Sequence, residues 1–334
     1  MGIAEVDAGR QFFLGVDGGG TKTTAVVVDA EGRERGRALA GGANARVLGI
    51  ERAAARVAAV ARVAATRAGS PLPLSGAWIG LAGLDSLEDC ASLVLHLQGV
   101  GTVVRVTNDA ELLLSALGTE RGVALVAGTG SIALGQDSHG HIVRAGGWGE
   151  ILGDEGSGYD IGRQALRAAV RWADRRGPRT ILLERILQHW GLQMPNDLIG
   201  RVHHAQDRVL IAELAPLVLA AERERDRAAS AITRRAAREL ALAALAVDRA
   251  LAVPDDGMRL VFGGGLLINE ARLRELVVAH IRRRRSVAVP LIAAEPALDA
   301  AHAAREQGAL TRAEPGMTEL ALAHALPSAI SVRR

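Results

Sequence analysis

The sequence predicts an α/β protein built from two similar lobes, and three observations carry the prediction. A strand, glycine turn, strand pattern occurs twice, about a hundred residues apart. Further short apolar runs stop at glycine or Asn-Asp punctuation, as buried strands do. Long Ala, Leu and Arg segments at helical spacing fill the remainder. The length of 334 residues allows about two domains, with room for sizeable cores.

The first strand is the apolar run Phe12-Phe13-Leu14-Gly15-Val16-Asp17, which stops at Gly18-Gly19-Gly20 and resumes as a second strand at residues 23–29. A charged turn, Ala30-Glu31-Gly32-Arg33, leads into a third, weaker strand over 34–40, and a helix follows over 51–68. Two buried strands are expected at 77–81 and 103–106, the second ending at Thr107-Asn108-Asp109 before a helix over 110–117. The grammar then repeats: Val123-Ala124-Leu125-Val126, the turn Ala127-Gly128-Thr129-Gly130-Ser131, a strand over 132–135, a polar turn and His141-Ile142-Val143-Arg144. Neither copy can bury its sheet alone, so two lobes are expected to face one another, with their glycine turns at the facing edge. Helices are expected over 157–173, 180–190, 209–253 and 270–284, and a late strand at 259–262 ends at Gly263-Gly264-Gly265. The expected division is 1–117 and 118–299, the latter with a helical insertion, the segment from about 300 to 334 packing back onto the first lobe.

Composition removes several classes. Hydrophobic residues make up 49% of the chain, yet charges interrupt every long apolar run, and none reaches the roughly 20 residues a membrane span needs. The first residues carry Glu5 and Asp7 and lack a basic segment followed by an apolar one, so a cytoplasmic protein without a secretory leader is expected. A single cysteine, Cys90, excludes a disulfide framework, a Cys-rich zinc module and an iron-sulfur cluster held by this chain alone. Forty Lys+Arg against 37 Asp+Glu leave +3, too near balance to imply a nucleic-acid partner, and Arg282 to Arg285 reads as a solvated helix end. His139, His141 and His203-His204 show no metal spacing. The one lysine, Lys22, lies inside the most glycine-dense motif.

Glycine turns after strands cradle phosphates because backbone N–H groups can approach the oxygens. In Asp17-Gly18-Gly19-Gly20-Thr21-Lys22-Thr23 a carboxylate able to hold hydrated magnesium precedes hydroxyl and ammonium donors. The continuation as a strand separates this turn from a Walker A loop, and it separates Gly128-Thr129-Gly130 from a dinucleotide fingerprint. Either turn alone reads equally well as a tight hairpin. The third, Gly263-Gly264-Gly265, suits the approach of a flat base or sugar. Asp109 reads either as a base that takes a proton from an attacking hydroxyl or as a helix N-cap. Residues 146–158 combine six glycines with Trp148, Glu150, Asp154, Glu155 and Ser157: a pocket for a polyhydroxylated ligand, or a connector capped by Asp154 or Ser157.

Together, residues 17–23, Asn108-Asp109, 127–131, Gly147-Trp148-Gly149 with Gly153-Asp154-Glu155-Gly156-Ser157, and 262–265 resemble the N-acetylglucosamine kinase and BadF/BcrA-like ATPase family, of the actin, hexokinase and Hsp70 superfamily. The resemblance spans about Phe12 to Leu310 and includes residues 215–226, similar to the family's helical region. It implies two ribonuclease-H-like, actin/hexokinase-type lobes closing over ATP-Mg2+ and an amino sugar. It also implies roles: Asp17 for magnesium; Gly18, Gly19, Gly20, Thr21, Lys22 and Thr23 at the nucleotide phosphates; Gly128, Thr129 and Gly130 as the second phosphate turn; Gly263, Gly264 and Gly265 at the adenosine. Asp109 matches the base for the sugar O6 hydroxyl, with Asn44, Asn108, Thr129, Gly147, Trp148 and Asp154 at the sugar. The chain departs from the family at residues 298–302 and at Ala45-Arg46-Val47-Leu48, which lacks an aromatic found in animal-type relatives, so a free amino sugar competes with an N-acetylated one. The expected activity is 6-phosphorylation of N-acetylglucosamine or glucosamine by a homodimer with no nucleic-acid or membrane partner. The competing classes are an ATPase that activates a redox partner, which Cys90 alone cannot furnish with cluster ligands, and a sugar-sensing repressor, which needs a helix-turn-helix before Phe12.

Overall fold

The first sheet has the order β3-β2-β1-β4-β5 in the computed structural model, which describes residues 11–84, 86–117, 121–136, 142–205, 207–251 and 257–313. His139, His141, the side chain of His204 and everything after 313 lie outside the described residues. The chain forms two compact units, the first comprising, of the described residues, 11–117 and 293–313 and the second 121–136 and 142–292.

In the first unit, β1 (Phe12–Gly18), β2 (Lys22–Asp29) and β3 (Glu34–Gly41) form an antiparallel meander. The short helix α1 (Ala45–Leu48) and the long α2 (Ile50–Arg67) follow. Then come β4 (Gly76–Leu81), α3 (Leu87–Leu97), β5 (Val104–Asn108) and α4 (Asp109–Leu112), which continues as a 3-10 turn over Leu113–Leu117 where one helix was expected. β4 runs parallel to β1, and β5 parallel to β4. The period of two along β1 sorts its side chains between layers. Phe12, Leu14 and Val16 join Val57, Ala61 and Leu93 of α2 and α3, whereas Phe13 joins Val26, Trp78 and the alanines of the last described helix, Pro296–Ala313. That helix packs on β1 at Gly15, where an added Cβ would lie 1.9 Å from the Ala297 carbonyl oxygen. Ala297, Ala300, Ala301 and Ala304 make its buried stripe, so residues 298–302 return to this sheet although they depart from the family's pattern.

The second unit repeats the plan. β6 (Gly122–Ala127), β7 (Ser131–Gln136) and β8 (Ile142–Gly146) form the meander. After them come α5 (Gly149–Leu152), α6 (Gly158–Ala173), α7 (Leu182–Trp190), α8 (Asp197–Ala205), α9 (Arg208–Ala212), α10 (Ala215–Arg223) and α11 (Arg227–Leu251). β9 (Leu260–Gly263), α12 (Gly265–Asn269), α13 (Ala271–Arg282) and β10 (Leu291–Ile292) complete it, in the order β10-β9-β6-β7-β8. β9 is parallel to β6 and β10 to β9, so the five strands have the same connectivity and the same directions as in the first unit.

Two expectations are corrected here. The single helix expected over 209–253 is three helices, because Pro216 occupies the first turn of α10, where a missing N–H is harmless, and cannot continue a helix that begins earlier. Arg225 then takes a left-handed φ of +64°. The Asp226 carboxylate accepts from Ala229 N at the start of α11 and also from Thr180 Oγ1 and Ile181 N, tying α11 to the approach of α7. The basic run 282–285 is solvated only in part. Arg282, Arg283 and Arg284 are exposed, but Arg285 is nearly buried and pairs with Asp248 of α11 at 3.1 Å.

Candidate functional site

In the first unit the candidate residues Asp17, Asn108 and Asp109 lie at the carboxyl ends of β1 and β5, where open α/β sheets place ligands. The glycine turn is a hairpin turn closed by Gly19 N donating to Lys22 O at 2.9 Å. Residues 41–43 back it. Ala43 N donates to Gly19 O, Ala82 N donates to Gly18 O, and a Cβ on Gly42 would lie 2.0 Å from Gly20 O. Gly20, Thr21 and Lys22 are exposed at the tip, and a Cβ on Gly20 would meet nothing within 4 Å. Thr23 differs from its neighbours. It is fully buried, and its hydroxyl donates to Gly41 O at 2.9 Å, so that hydroxyl serves the fold rather than a phosphate.

Asp17, the penultimate residue of β1, has its carboxyl pushed up to about 6, chiefly by burial and then by the charge of Asp109, with Lys22 opposing. Two carboxylates therefore act on each other beside the lone ammonium. Asn108, not Asp109, caps α4: its Oδ1 accepts from Ala110 N at 2.8 Å and Glu111 N at 3.2 Å. Asn44 caps α1 by accepting from Val47 N at 3.1 Å, and Gly83 leaves room for its Oδ1. Cys90 has its thiol pushed up to about 11 by burial and by the charges of Glu111 and Asp89, the reverse of an activated thiolate.

The raised carboxyl gives Asp17 a stability signature. Burial favours its neutral form, so its contribution to stability is full below the ordinary 3.8 and is lost as pH rises through about 6. Asp17→Asn removes that loss. Without nucleotide or metal, the variant is expected to exceed the wild type by about 1–2 kcal/mol at pH 8 and to converge with it toward pH 4. Urea unfolding at both pH values measures the difference, and equal stability at pH 8 would refute the burial argument.

In the second unit the turn 128–131 follows β6. Gly128 N donates to Gly130 O at 2.9 Å, and the start of α6 grips the outside of the turn: Gly158 N donates to Gly128 O at 2.8 Å and Tyr159 N to Thr129 O at 3.2 Å. Ser157 caps α6 by accepting from Asp160 N. Asp154, only 4% exposed, takes a left-handed φ of +58°. Its carboxylate accepts from Ser131 N at 3.1 Å and from Arg208 Nη2 at 2.6 Å. Of the two expected caps in 146–158, Ser157 therefore serves, whereas Asp154 reaches back to the turn. Gly147 has φ +70°, and a Cβ there would lie 2.6 Å from Ile132 Cδ1. Trp148 is 60% exposed, with the Arg144 guanidinium 4.6 Å from its ring centroid.

The third turn stands against the second. Gly264 has φ +78°, and a Cβ on it would lie 2.4 Å from the Ala127 carbonyl oxygen; one on Gly128 would come 3.8 Å from Gly265 N. Gly128 to Gly130 and Gly263 to Gly265 are thus brought together at the carboxyl ends of β6 and β9. Sequence reasoning missed Gly42 and Arg208, and took Glu150 and Gly158 only as members of the 146–158 stretch. The Gly41-Gly42 pair was a visible signal for the first, but nothing in spacing links Arg208 to an aspartate 54 residues earlier. Among the described residues, no group of three or more His, Cys, Asp or Glu is arranged to hold a metal, and no helix is long and apolar enough to cross a membrane.

The family model of the BadF/BadG/BcrA/BcrD ATPases matches residues 14–304, which include every turn and carboxylate described above. The chain belongs to this family. Its relatives include an N-acetylmuramic acid/N-acetylglucosamine kinase of Clostridium acetobutylicum, 33% identical over 265 residues, or 78% of this chain and 86% of that one. An N-acetyl-D-glucosamine kinase of Dictyostelium discoideum is 34% identical over 62% of this chain and 70% of its own length. Among solved structures, a Chromobacterium violaceum protein provisionally named an N-acetylglucosamine kinase superposes with a TM-score of 0.67 at 27% identity, covering 90% of this chain and 98% of that one. A ROK hexokinase from Thermus thermophilus, at 20% identity and a TM-score of 0.53, shares the fold; it covers 89% of this chain and 99% of its own.

Proposed function

We propose that this protein phosphorylates an amino sugar at its 6-hydroxyl with ATP as donor. The observation that carries the reading is the Asp17 and Asp109 pair at the carboxyl ends of parallel strands, beside a glycine turn that ends in Lys22. Relatives named as N-acetylglucosamine, N-acetylmuramic acid and glucosamine kinases support the substrate class. In this reading Asp109 accepts the proton of the attacking hydroxyl, which makes the oxygen nucleophilic as its bond to phosphorus forms. Gly20, Thr21 and Lys22 meet phosphate oxygens, and Gly128 to Gly130 with Gly263 to Gly265 offer backbone that no side chain screens. The pair Asp17 and Asp109 suits a hydrated Mg2+, since a cation would draw the proton from Asp17 and relieve the repulsion between the two. When bound, that ion would neutralise charge developing on the transferred phosphoryl group. Asn44, Asn108, Gly147, Trp148 and Asp154 belong to the sugar side, with Thr129 between the two ligands. Pairing into a homodimer is part of the same proposal, and sedimentation of the purified chain tests it.

A coupled ADP-release assay with ATP-Mg2+ against glucosamine, N-acetylglucosamine, N-acetylmannosamine, N-acetylmuramic acid, glucose and no sugar tests the activity. Turnover with at least one amino sugar is expected to exceed sugar-free hydrolysis by about 100-fold or more. Hydrolysis at the same rate with and without sugar would replace the reading by an ATPase serving a partner.

A further inference from the structure

We infer that Arg208 is a positioning residue of the candidate site, holding the Asp154 carboxylate so that it serves the turn 128–131 and a sugar hydroxyl at once; this rests on the amino-sugar kinase reading. Asp154 occupies a left-handed backbone conformation, which is strained for a non-glycine residue. Its side chain is 6% exposed. A carboxylate so placed needs compensating donors, and it has Ser131 N on Oδ1 and Arg208 Nη2 on Oδ2. Each carboxylate oxygen accepts about two hydrogen bonds, so each keeps one acceptor direction for a ligand hydroxyl.

The holding is rigid because its base is rigid. Asp207 caps α9 by accepting from Val209 N at 2.8 Å, and the Ile211 carbonyl presses on α6 where Gly162 has no side chain, 1.9 Å from where a Cβ would lie. Arg208 Nε also stands 3.2 Å from Glu150 Oε2, an ion pair without hydrogen-bond alignment, which joins Asp154 to the helix that Trp148 begins. A Cβ on Gly130 would lie 3.0 Å from both Asp154 oxygens, so the carboxylate also forms the floor under the turn. The guanidinium spans two carboxylates, with Nη2 on Asp154 and Nε beside Glu150, which the single nitrogen of an ammonium does not.

Two readouts test this. In Arg208→Ala the KM for the amino sugar is expected to rise about 10- to 100-fold, with kcat within about threefold of wild type and a smaller rise in the KM for ATP, whose phosphates the loosened turn serves. Amide exchange in peptides covering residues 128–136 is expected to quicken about tenfold or more, while peptides from residues 12–29 keep their rates. Arg208→Lys, which keeps the charge and loses the fork, is expected to recover part of both effects and serves where the alanine variant does not fold. Unchanged sugar KM together with unchanged exchange over 128–136 would overturn the inference. If the wild type phosphorylates no amino sugar, the functional reading fails, and the exchange rates still decide whether Arg208 holds the turn.

Discussion

Asp109→Asn is expected to lower turnover by about 100- to 10,000-fold while nucleotide affinity stays within about threefold. The substitution removes the proton acceptor and keeps the shape. It also leaves the helix intact, because the cap of α4 is Asn108, whose Oδ1 already accepts from Ala110 N and Glu111 N. The change also removes one negative charge from the first turn, worth about 0.3–1 kcal/mol. A linked effect separates this variant from simple misfolding. The charge of Asp109 is one of the two causes that push Asp17 up to about 6, so removing it should bring the Asp17 carboxyl down and shift the pH dependence of unfolding with it. Steady-state kinetics with ADP-binding calorimetry measures the first effect, and unfolding between pH 4 and 8 the second. Turnover within about tenfold of wild type would take Asp109 out of the proton transfer.

The second large effect concerns the fold beneath the third turn. Gly264→Ala is expected to destabilise the protein by about 2–4 kcal/mol, because it adds a left-handed penalty to a collision with main chain that cannot move aside. The Cβ would lie 2.4 Å from the Ala127 oxygen and 2.6 Å from its carbonyl carbon, at the end of the central strand of that sheet. Relief requires Gly263 to Gly265 to draw back from Gly128, so weaker ATP binding should accompany the lower stability. A melting temperature about 5–10 °C below wild type is the expected scale, and one unchanged within about 1 °C would contradict the argument. Gly265→Ala is the control, since its Cβ would meet only Asn269 Nδ2 at 4.0 Å.

Much of the fold was legible because it is written in local patterns. The Phe12 and Val123 runs alternate or fill with apolar residues, and glycine marks their ends, so both meanders and the late strand at Leu260–Gly263 were readable before any coordinates. The helix expected over 209–253 failed at Pro216 and Asp226, where composition stays helical and only the backbone register breaks. Among the expected site residues, Asp17 does lie within the fields of both Asp109 and Lys22. Thr23 could not be told from Thr21 by type, because what separates them is place: Thr23 lies inside β2 with its hydroxyl on Gly41 O, and Thr21 lies in the exposed turn before that strand. Arg208 was invisible for a different reason. Its partner lies 54 residues away, and arginine is so common in this chain that no single one stands out until distances are known.

The same abundance of arginine has a consequence for the chemical handling of the protein. Every cationic side chain but one is a guanidinium, inert to acylating reagents at neutral pH, and the exception is Lys22, exposed at the tip of the β1–β2 hairpin. An activated ester, an aldehyde or an amine-coupled surface therefore has, apart from the α-amino group, one place to react. Routine biotinylation or immobilisation would block the very loop that the proposed function assigns to the nucleotide phosphates. Turned around, with the α-amino group blocked, a reporter dye placed by ordinary amine chemistry would sit beside Asp17 with no cysteine engineering.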